Sequence, residues 1–240
     1  MTKIKIAQLY PRDMSLYGDW GNTLTLKKRL EWRGFTVEII DHNPGDKTNF
    51  SDIDIFTGGG GQDSGQTIIQ NDLLKRADEL RQLATSGVPM LMICGMYQLF
   101  GRFFRTLKGE EIIGANILPI ETIAGNERMI GNIVIKSHEF GEIVGYENHS
   151  GQTFLDKETT PLGDVIKGAG NNMSDPYEGV RYHNIIATYL HGPILPKNPQ
   201  IADFLINEAL KRRGIDINQV KKIDDNFARQ ARDISLRLPR

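Results

Sequence analysis

Residues 89–101 constrain this chain most: Pro89-Met-Leu-Met-Ile-Cys94-Gly-Met-Tyr-Gln98-Leu-Phe-Gly101 holds the only cysteine in 240 residues. The apolar run before Cys94 reads as a short buried strand, and the spacing after it reads as an amphipathic helix. Gly95 permits a tight turn between the two. Such a turn lifts a side chain above the end of a sheet. A thiol there faces the positive end of the helix, which favours thiolate over thiol. The same residues would also suit a buried structural cysteine, because free cysteine is among the most buried residue types.

The first hundred residues alternate between two periodicities. Residues 4–9, 35–41, 53–56 and 91–93 read as strands. Residues 22–33, with Leu26 and Leu30 on one face, read as a helix closed by Gly34. Leu73, Ala77, Leu80 and Ala84 step by helical spacing and mark a second helix with one buried stripe. Repeated β-α-β order predicts an α/β fold, a mostly parallel sheet with helices on both faces. Between residues 112 and 187, short β-like runs at 133–136, 142–146, 165–167 and 185–188 are divided by Gly, Asn and Asp. They predict β-hairpin additions that finish the sheet or form a small accessory one. Residues 201–213 predict a late helix. We expect one globular α/β domain over residues 1–214 and a charged, helical extension over 215–240.

Bulk composition narrows the chemistry. Lysine plus arginine (29) nearly equals aspartate plus glutamate (30), so no basic surface argues for nucleic acid. One cysteine excludes an internal disulfide framework and a cysteine-based zinc cage, which points to a reducing compartment, the cytoplasm. No run reaches membrane-spanning length, and the first residues lack the apolar core of a signal peptide. No membrane insertion is expected.

A thiolate nucleophile needs a base, and His191 is the candidate among five histidines. It follows a strand-like run and precedes Gly192-Pro193, at a strand end where α/β sheets collect their chemistry. An imidazole there could take the thiol proton and return it to a leaving group. His42, His138, His149 and His183 sit in polar contexts and read as surface or structural, and their spacing suggests no metal site. Gly58 to Gly61 form four successive glycines after the strand at 53–56. No Gly-Lys-Ser/Thr follows, which argues against a Walker-type phosphate loop. The loop could be merely flexible, or its amides at Gly59 and Gly60 could join that of Gly95 as an oxyanion hole. Taken together, these features describe an acyl-transfer site.

The same residues resemble class I (triad) glutamine amidotransferases, in which Ile93-Cys94-Gly-Met-Tyr-Gln98 is similar to the nucleophile turn. Further phrases resemble the GatD-type glutaminase subunit of lipid II isoglutaminyl synthase. They are Leu9-Tyr-Pro11, Leu16-Tyr-Gly-Asp19-Trp-Gly-Asn22, Gly58-Gly-Gly-Gly-Gln-Asp63, Arg128-Met-Ile-Gly-Asn132, Gly145-Tyr-Glu-Asn-His-Ser-Gly151, Gly168-Ala-Gly-Asn-Asn172 and the run from Thr188 to Pro199. The resemblance implies a flavodoxin-like fold and hydrolysis of L-glutamine, with Cys94 as nucleophile and His191 as base. It also implies that Arg128 contacts the substrate and that Gln98 borders the same pocket. Ammonia would pass to a MurT-like Mur ligase homologue in a heterodimer, which would amidate the D-glutamate of lipid II in peptidoglycan synthesis. No cofactor is expected on this subunit; ATP and magnesium would belong to the partner.

The chain departs from the family pattern in one chemical respect. Many triad amidotransferases carry glutamate two residues after the histidine, where this chain has Pro193. The histidine-orienting acid is expected from the partner ligase, with Asp19, Glu147 and Asp175 as local alternatives. Gly95-Met96 also stands where Gly-Gly is expected. Three other readings compete: a cobyric-acid-synthase-type glutaminase, a non-catalytic regulatory subunit that keeps the fold, and a cysteine hydrolase or peptidase.

Overall fold

The computed structural model describes residues 2–239. In chain order, β1 (Lys3–Leu9) leads through α1 (Trp20–Trp32) to β2 (Thr36–His42), β3 (Ile55–Gly58), α2 (Asp63–Thr85), β4 (Met90–Ile93) and α3 (Gly95–Phe100). The short β5 (Phe103–Arg105) and β6 (Glu111–Ile113) precede two long strands, β7 (Ile120–Ser137) and β8 (Gly141–Leu155). Then come β9 (Gly163–Lys167), β10 (Tyr177–Glu178), β11 (Val180–Tyr182), β12 (Ile185–Thr188) and β13 (Leu190–His191), followed by α4 (Pro199–Arg212) and α5 (Asn226–Arg237).

Two sheets result. The first has strand order β11-β12-β4-β3-β1-β2. All its pairs are parallel except β11 with β12 at the edge. Every residue of β3, β4 and β12 is buried. Helices flank a parallel sheet, so its central strands meet apolar surface on each side and lose the alternation that a half-exposed strand shows. Helix α1 packs on α4, and α2 packs on α3. The stripe read from the sequence of α2 is the buried one, with Ile69, Leu73, Ala77, Leu80 and Ala84 inward.

The additions between residues 112 and 187 are larger than the expected small accessory sheet. They build a second sheet of seven strands around the antiparallel β7–β8 pair. Glycine and polar residues interrupt the hydrophobic pattern within β7 and β8, so the sequence shows only fragments of each. Helix α3 also differs from expectation. All six of its residues are buried, so it has no solvent face. It lies between the two sheets, contacting β4, β5 and β7. Near the C-terminus, α5 buries none of its residues. The tail is held to the body by Arg29–Asp225 (2.6 Å) and Arg232–Glu142 (3.6 Å) ion pairs. No helix among the described residues is long and apolar enough to cross a membrane.

Candidate active site

The two sheets meet where the chain leaves β12 for β13. Thr188 ends the pairing with Ile93 of β4, and two residues later Leu190 and His191 pair with Glu147 and Tyr146 of β8. Cys94 lies beside this crossing, with its N–H donated to Thr188 O at 2.9 Å. Its backbone is held at φ 51° and ψ −104°, a conformation that is costly for a residue with a Cβ. The turn is maintained by its neighbours: Gln98 N–H donates to Cys94 O at 2.9 Å, and Met96 N–H donates to Gly59 O at 3.3 Å. Strain of this kind persists where surrounding structure over-determines it, which is common at reactive turns.

His191 is almost wholly buried, and its ring converges with Cys94 on Gly60. A Cβ added to Gly60 would lie 3.0 Å from His191 Cε1 and 3.2 Å from Cys94 Cβ. Tyr17 covers the imidazole, with ring centroids 4.8 Å apart. His191 Nδ1 is 3.2 Å from both carboxylate oxygens of Asp19, 172 residues away in sequence. Nε2 is buried without a hydrogen-bond partner among the described residues. The Cys94 sulfur is nevertheless near enough to bias the ring's protonation. Burial disfavours a charged imidazole, but the sulfur and the Asp19 carboxylate outweigh it and push His191 up to about 10. A loosely aligned thiol–imidazole pair is usual before substrate binds.

Of the three local acids considered, Asp19 is the one whose carboxylate meets His191. It precedes the first turn of α1, yet its side chain makes no capping bond to that helix. Instead, the carboxylate turns to His191 and accepts Gly60 N–H at 2.9 Å. The other two acids considered are occupied elsewhere. Glu147 accepts from the Ala169 and Gly170 amides, and Asp175 bonds Asn172 Nδ2 at 2.7 Å.

That bond to Asp19 corrects one expectation. Gly60 N–H is committed, so Gly60 does not present a free oxyanion donor here. Gly59 packs on Met14 O and Asp19, and its carbonyl holds the turn. The neighbouring Gly61, not singled out in the sequence, comes beside Gly95: a Cβ on Gly95 would be 3.1 Å from Gly61 N. Neither the Gly61 nor the Gly95 N–H is donated to another group among the described residues. This pair could hold an oxyanion.

An open cleft of about 400 Å³ runs from Cys94 to Arg128. Gln98, Gln66, Tyr17, Asn148 and His149 also line it. Arg128 reaches the cleft from the irregular part of β7, where the register with β8 shifts between Ala124 and Met129. Arg128 Nε donates to Asn148 Oδ1 at 2.8 Å and Nη2 to Tyr17 Oη at 3.3 Å. Gln98 is buried, and its amide orientation is fixed at both ends. It accepts from Gln66 Nε2 at 2.7 Å and donates to Tyr189 Oη at 3.2 Å. Tyr189 in turn bonds Thr153, which bonds Thr122.

His149 is structural rather than surface, and it also walls the cleft. It is buried in the cleft wall, stacked on Tyr189 with centroids 3.6 Å apart, and shares a 2.7 Å bond with Gly151 O. Burial first, then the neighbouring His191 and Arg128 charges, push it down to about 3, so its ring is neutral. His42 is a core residue bonded to Thr48 and Asp72, whereas His138 and His183 are exposed. No group of three metal-binding side chains occurs among the described residues.

A parallel sheet bearing a strained cysteine turn beside a buried histidine is the arrangement of class I glutamine amidotransferases. A solved glutamine amidotransferase shares this fold at a TM-score of 0.59, covering 85% of this chain and 98% of that one at 15% identity. Residues 5–199 match the CobB/CobQ-like glutamine amidotransferase domain, and the chain belongs to that family. It is 40% identical over 234 residues to the lipid II isoglutaminyl synthase (glutamine-hydrolyzing) subunit GatD of Staphylococcus aureus, covering 98% of this chain and 95% of that one. The corresponding Streptococcus pneumoniae subunit is 40% identical over 220 residues, covering 90% and 84%.

Proposed function

We propose that this chain is the glutaminase subunit of a lipid II isoglutaminyl synthase. The observation that carries the proposal is the convergence of the lone Cys94 and buried His191 on Gly60, at one end of a cleft walled by Arg128. Full-length similarity to two GatD subunits supports the specific substrate and pathway over a cobyric-acid-synthase role. A regulatory subunit would have no use for a strained thiol turn with a protonatable partner.

In this reading, the arginine forks onto the α-carboxylate of free L-glutamine, which fixes the amino acid along the cleft. His191 takes the Cys94 proton on Nε2, and Sγ attacks the side-chain amide carbon. The carbonyl electrons move onto oxygen, held by the Gly61 and Gly95 amides. The tetrahedral intermediate collapses, the C–N bond breaks, and the Nε2 proton leaves with nitrogen as ammonia. Water, deprotonated by the same imidazole, then cleaves the thioester and releases glutamate. The chain itself needs no cofactor for these steps. Ammonia passes to a MurT-like ligase in a cytoplasmic heterodimer, where ATP and magnesium act.

The test is amidation of lipid II by the complex with a Mur-ligase-like partner, using either glutamine or ammonium as nitrogen source. Cys94→Ala should abolish the glutamine-dependent reaction and spare the ammonium-dependent one. Retained glutamine-dependent amidation in that variant would end the proposal. Turnover of peptides in place of glutamine would establish the hydrolase alternative.

A further inference from the structure

We propose that Asp19 is the positioning acid for His191, so that this chain carries a complete Cys–His–acid set without a residue from its partner. The inference deepens the glutaminase reading and rests on it for its catalytic meaning. Its structural content stands alone.

The geometry carries it. Both Asp19 oxygens lie 3.2 Å from Nδ1, and the Asp19 side chain is 1% exposed. A carboxylate there makes Nδ1–H the donor and leaves Nε2 as the atom that exchanges a proton with sulfur. Nε2 is the ring nitrogen with no hydrogen-bond partner among the described residues. The acid site at the start of the 13-residue α1 favours negative charge, through the helix's unsatisfied amides. Asp19 also forgoes the capping bond that aspartate usually makes at such a position.

The position of Asp19 is itself fixed. Gly21 and Asn22, on the first turn of α1, dock the segment that follows His191. Asn22 Oδ1 accepts Leu195 N–H at 3.0 Å, and Pro193 packs on Gly21. Pro193 occupies the place where many triad amidotransferases carry glutamate. Its contact with α1 brings an acid from the other end of the chain to the same histidine. The carboxylate also accepts Gly60 N–H at 2.9 Å, so one group orients the base and determines which loop amides face the cleft.

Other groups act on His191 as well. Cys94 faces it from the β4–α3 turn, and Tyr17 from the segment before α1. Glu178 on β10 and His149 on β8 interact with it through charge. The experiment therefore compares variants at Asp19 alone.

Two readouts need no glutamine. Ring ¹⁵N shifts of His191 in the full-length protein report its tautomer and titration. The pH dependence of iodoacetamide alkylation reports Cys94, the chain's only cysteine. Asp19→Asn keeps an oxygen acceptor for Gly60 but turns an amide toward Nδ1. It should lower the His191 midpoint by at least one pH unit and shift the alkylation profile with it. Glutamine kcat should fall about 100- to 10,000-fold, with KM changed far less.

An unchanged His191 midpoint in Asp19→Asn would overturn the proposal. Recovery of wild-type kcat by that variant when the partner ligase is added would also overturn it, because the acid would then come from the partner. If Asp19→Asn fails to fold, wild-type spectra decide: above the midpoint the neutral ring should carry its proton on Nδ1, and an Nε2–H tautomer refutes the assignment. A protein that hydrolyses no glutamine yet shows the His191 shift would sink the glutaminase reading and leave this one intact.

Discussion

Pro193 rests on Gly21 so closely that a Cβ on the glycine would stand 2.6 Å from the proline ring. The ring is rigid, so alanine at position 21 cannot be absorbed by a rotamer change. It must push the segment after His191 away from the start of α1. Gly21→Ala should therefore lengthen the Asp19–His191 contact and weaken the Asn22–Leu195 bond. Expected results are a loss of about 1–3 kcal/mol in chemical denaturation, as for other overpacked sites, and a larger proportional fall in glutamine kcat. A variant matching wild type in both assays would show that this contact does not position the base.

The glycine loop offers a steric test of the proposed nucleophile–base pair. A methyl group at Gly60 would enter the space shared by Tyr17, His191 and Cys94, with nearest approaches of 2.8, 3.0 and 3.2 Å. At Gly61 the nearest atoms are the Met14 sulfur at 2.5 Å and Asp13 O at 3.0 Å, neither of them in the proposed reacting pair. Gly60→Ala should abolish glutaminase activity, whereas Gly61→Ala should retain a measurable fraction of it. Steady-state kinetics on both, with melting temperatures as folding controls, would separate the two. Equal activity in the two variants would contradict this geometry.

Arg128 is held by Asn148 and Tyr17 with part of its guanidinium free toward the cleft. If that group grips the α-carboxylate, Arg128→Ala should raise the KM for glutamine about 10- to 100-fold, the range for a lost hydrogen bond to a charged group. kcat should change much less. Arg128→Lys should restore little, because an ammonium cannot form the planar fork. Isothermal titration of glutamine into an inactive Cys94→Ala background gives the same quantity without turnover.

Glu178 makes stability depend on pH. Burial is the main cause that pushes its carboxyl up to about 8, against the Tyr189 N–H and Thr188 hydroxyl, which favour the charged form. The folded state thus holds a proton that the unfolded chain releases at ordinary carboxylate pH. The contribution is complete below about 4.5, the unfolded value, and is lost as pH rises through 8. Glu178→Gln cannot ionise. Its melting temperature, relative to wild type, should rise between pH 5 and about 8 and then level off, and a constant difference throughout would refute the shift.

Local pattern was enough for the features that depend on near neighbours. The turn at Cys94, the stripe of α2 and the parallel strands all follow from burial and from helical or strand periodicity within about ten residues. Arg128, Gln98 and His191 were found as residue types in motifs, and the structure brings all three to Cys94. The second sheet was seen only in fragments, since glycine and polar residues break the alternation of β7 and β8.

Asp19 shows why the remainder was hidden. Sequence named it only as one of three local alternatives to an acid from the partner, and an aspartate just before a helix also suits an ordinary cap. Its partner lies 172 residues away, delivered by a strand that changes sheets and a proline seated on a glycine. The commitment of Gly60 N–H to that carboxylate, which passes the free amide to Gly61, follows from the same packing. Sequence settled which chemical groups were present and the strained turn that carries the thiol. Tertiary structure decided which acid meets the imidazole, because a hydrogen bond has a reach of about 3 Å and depends on packing rather than on distance along the chain.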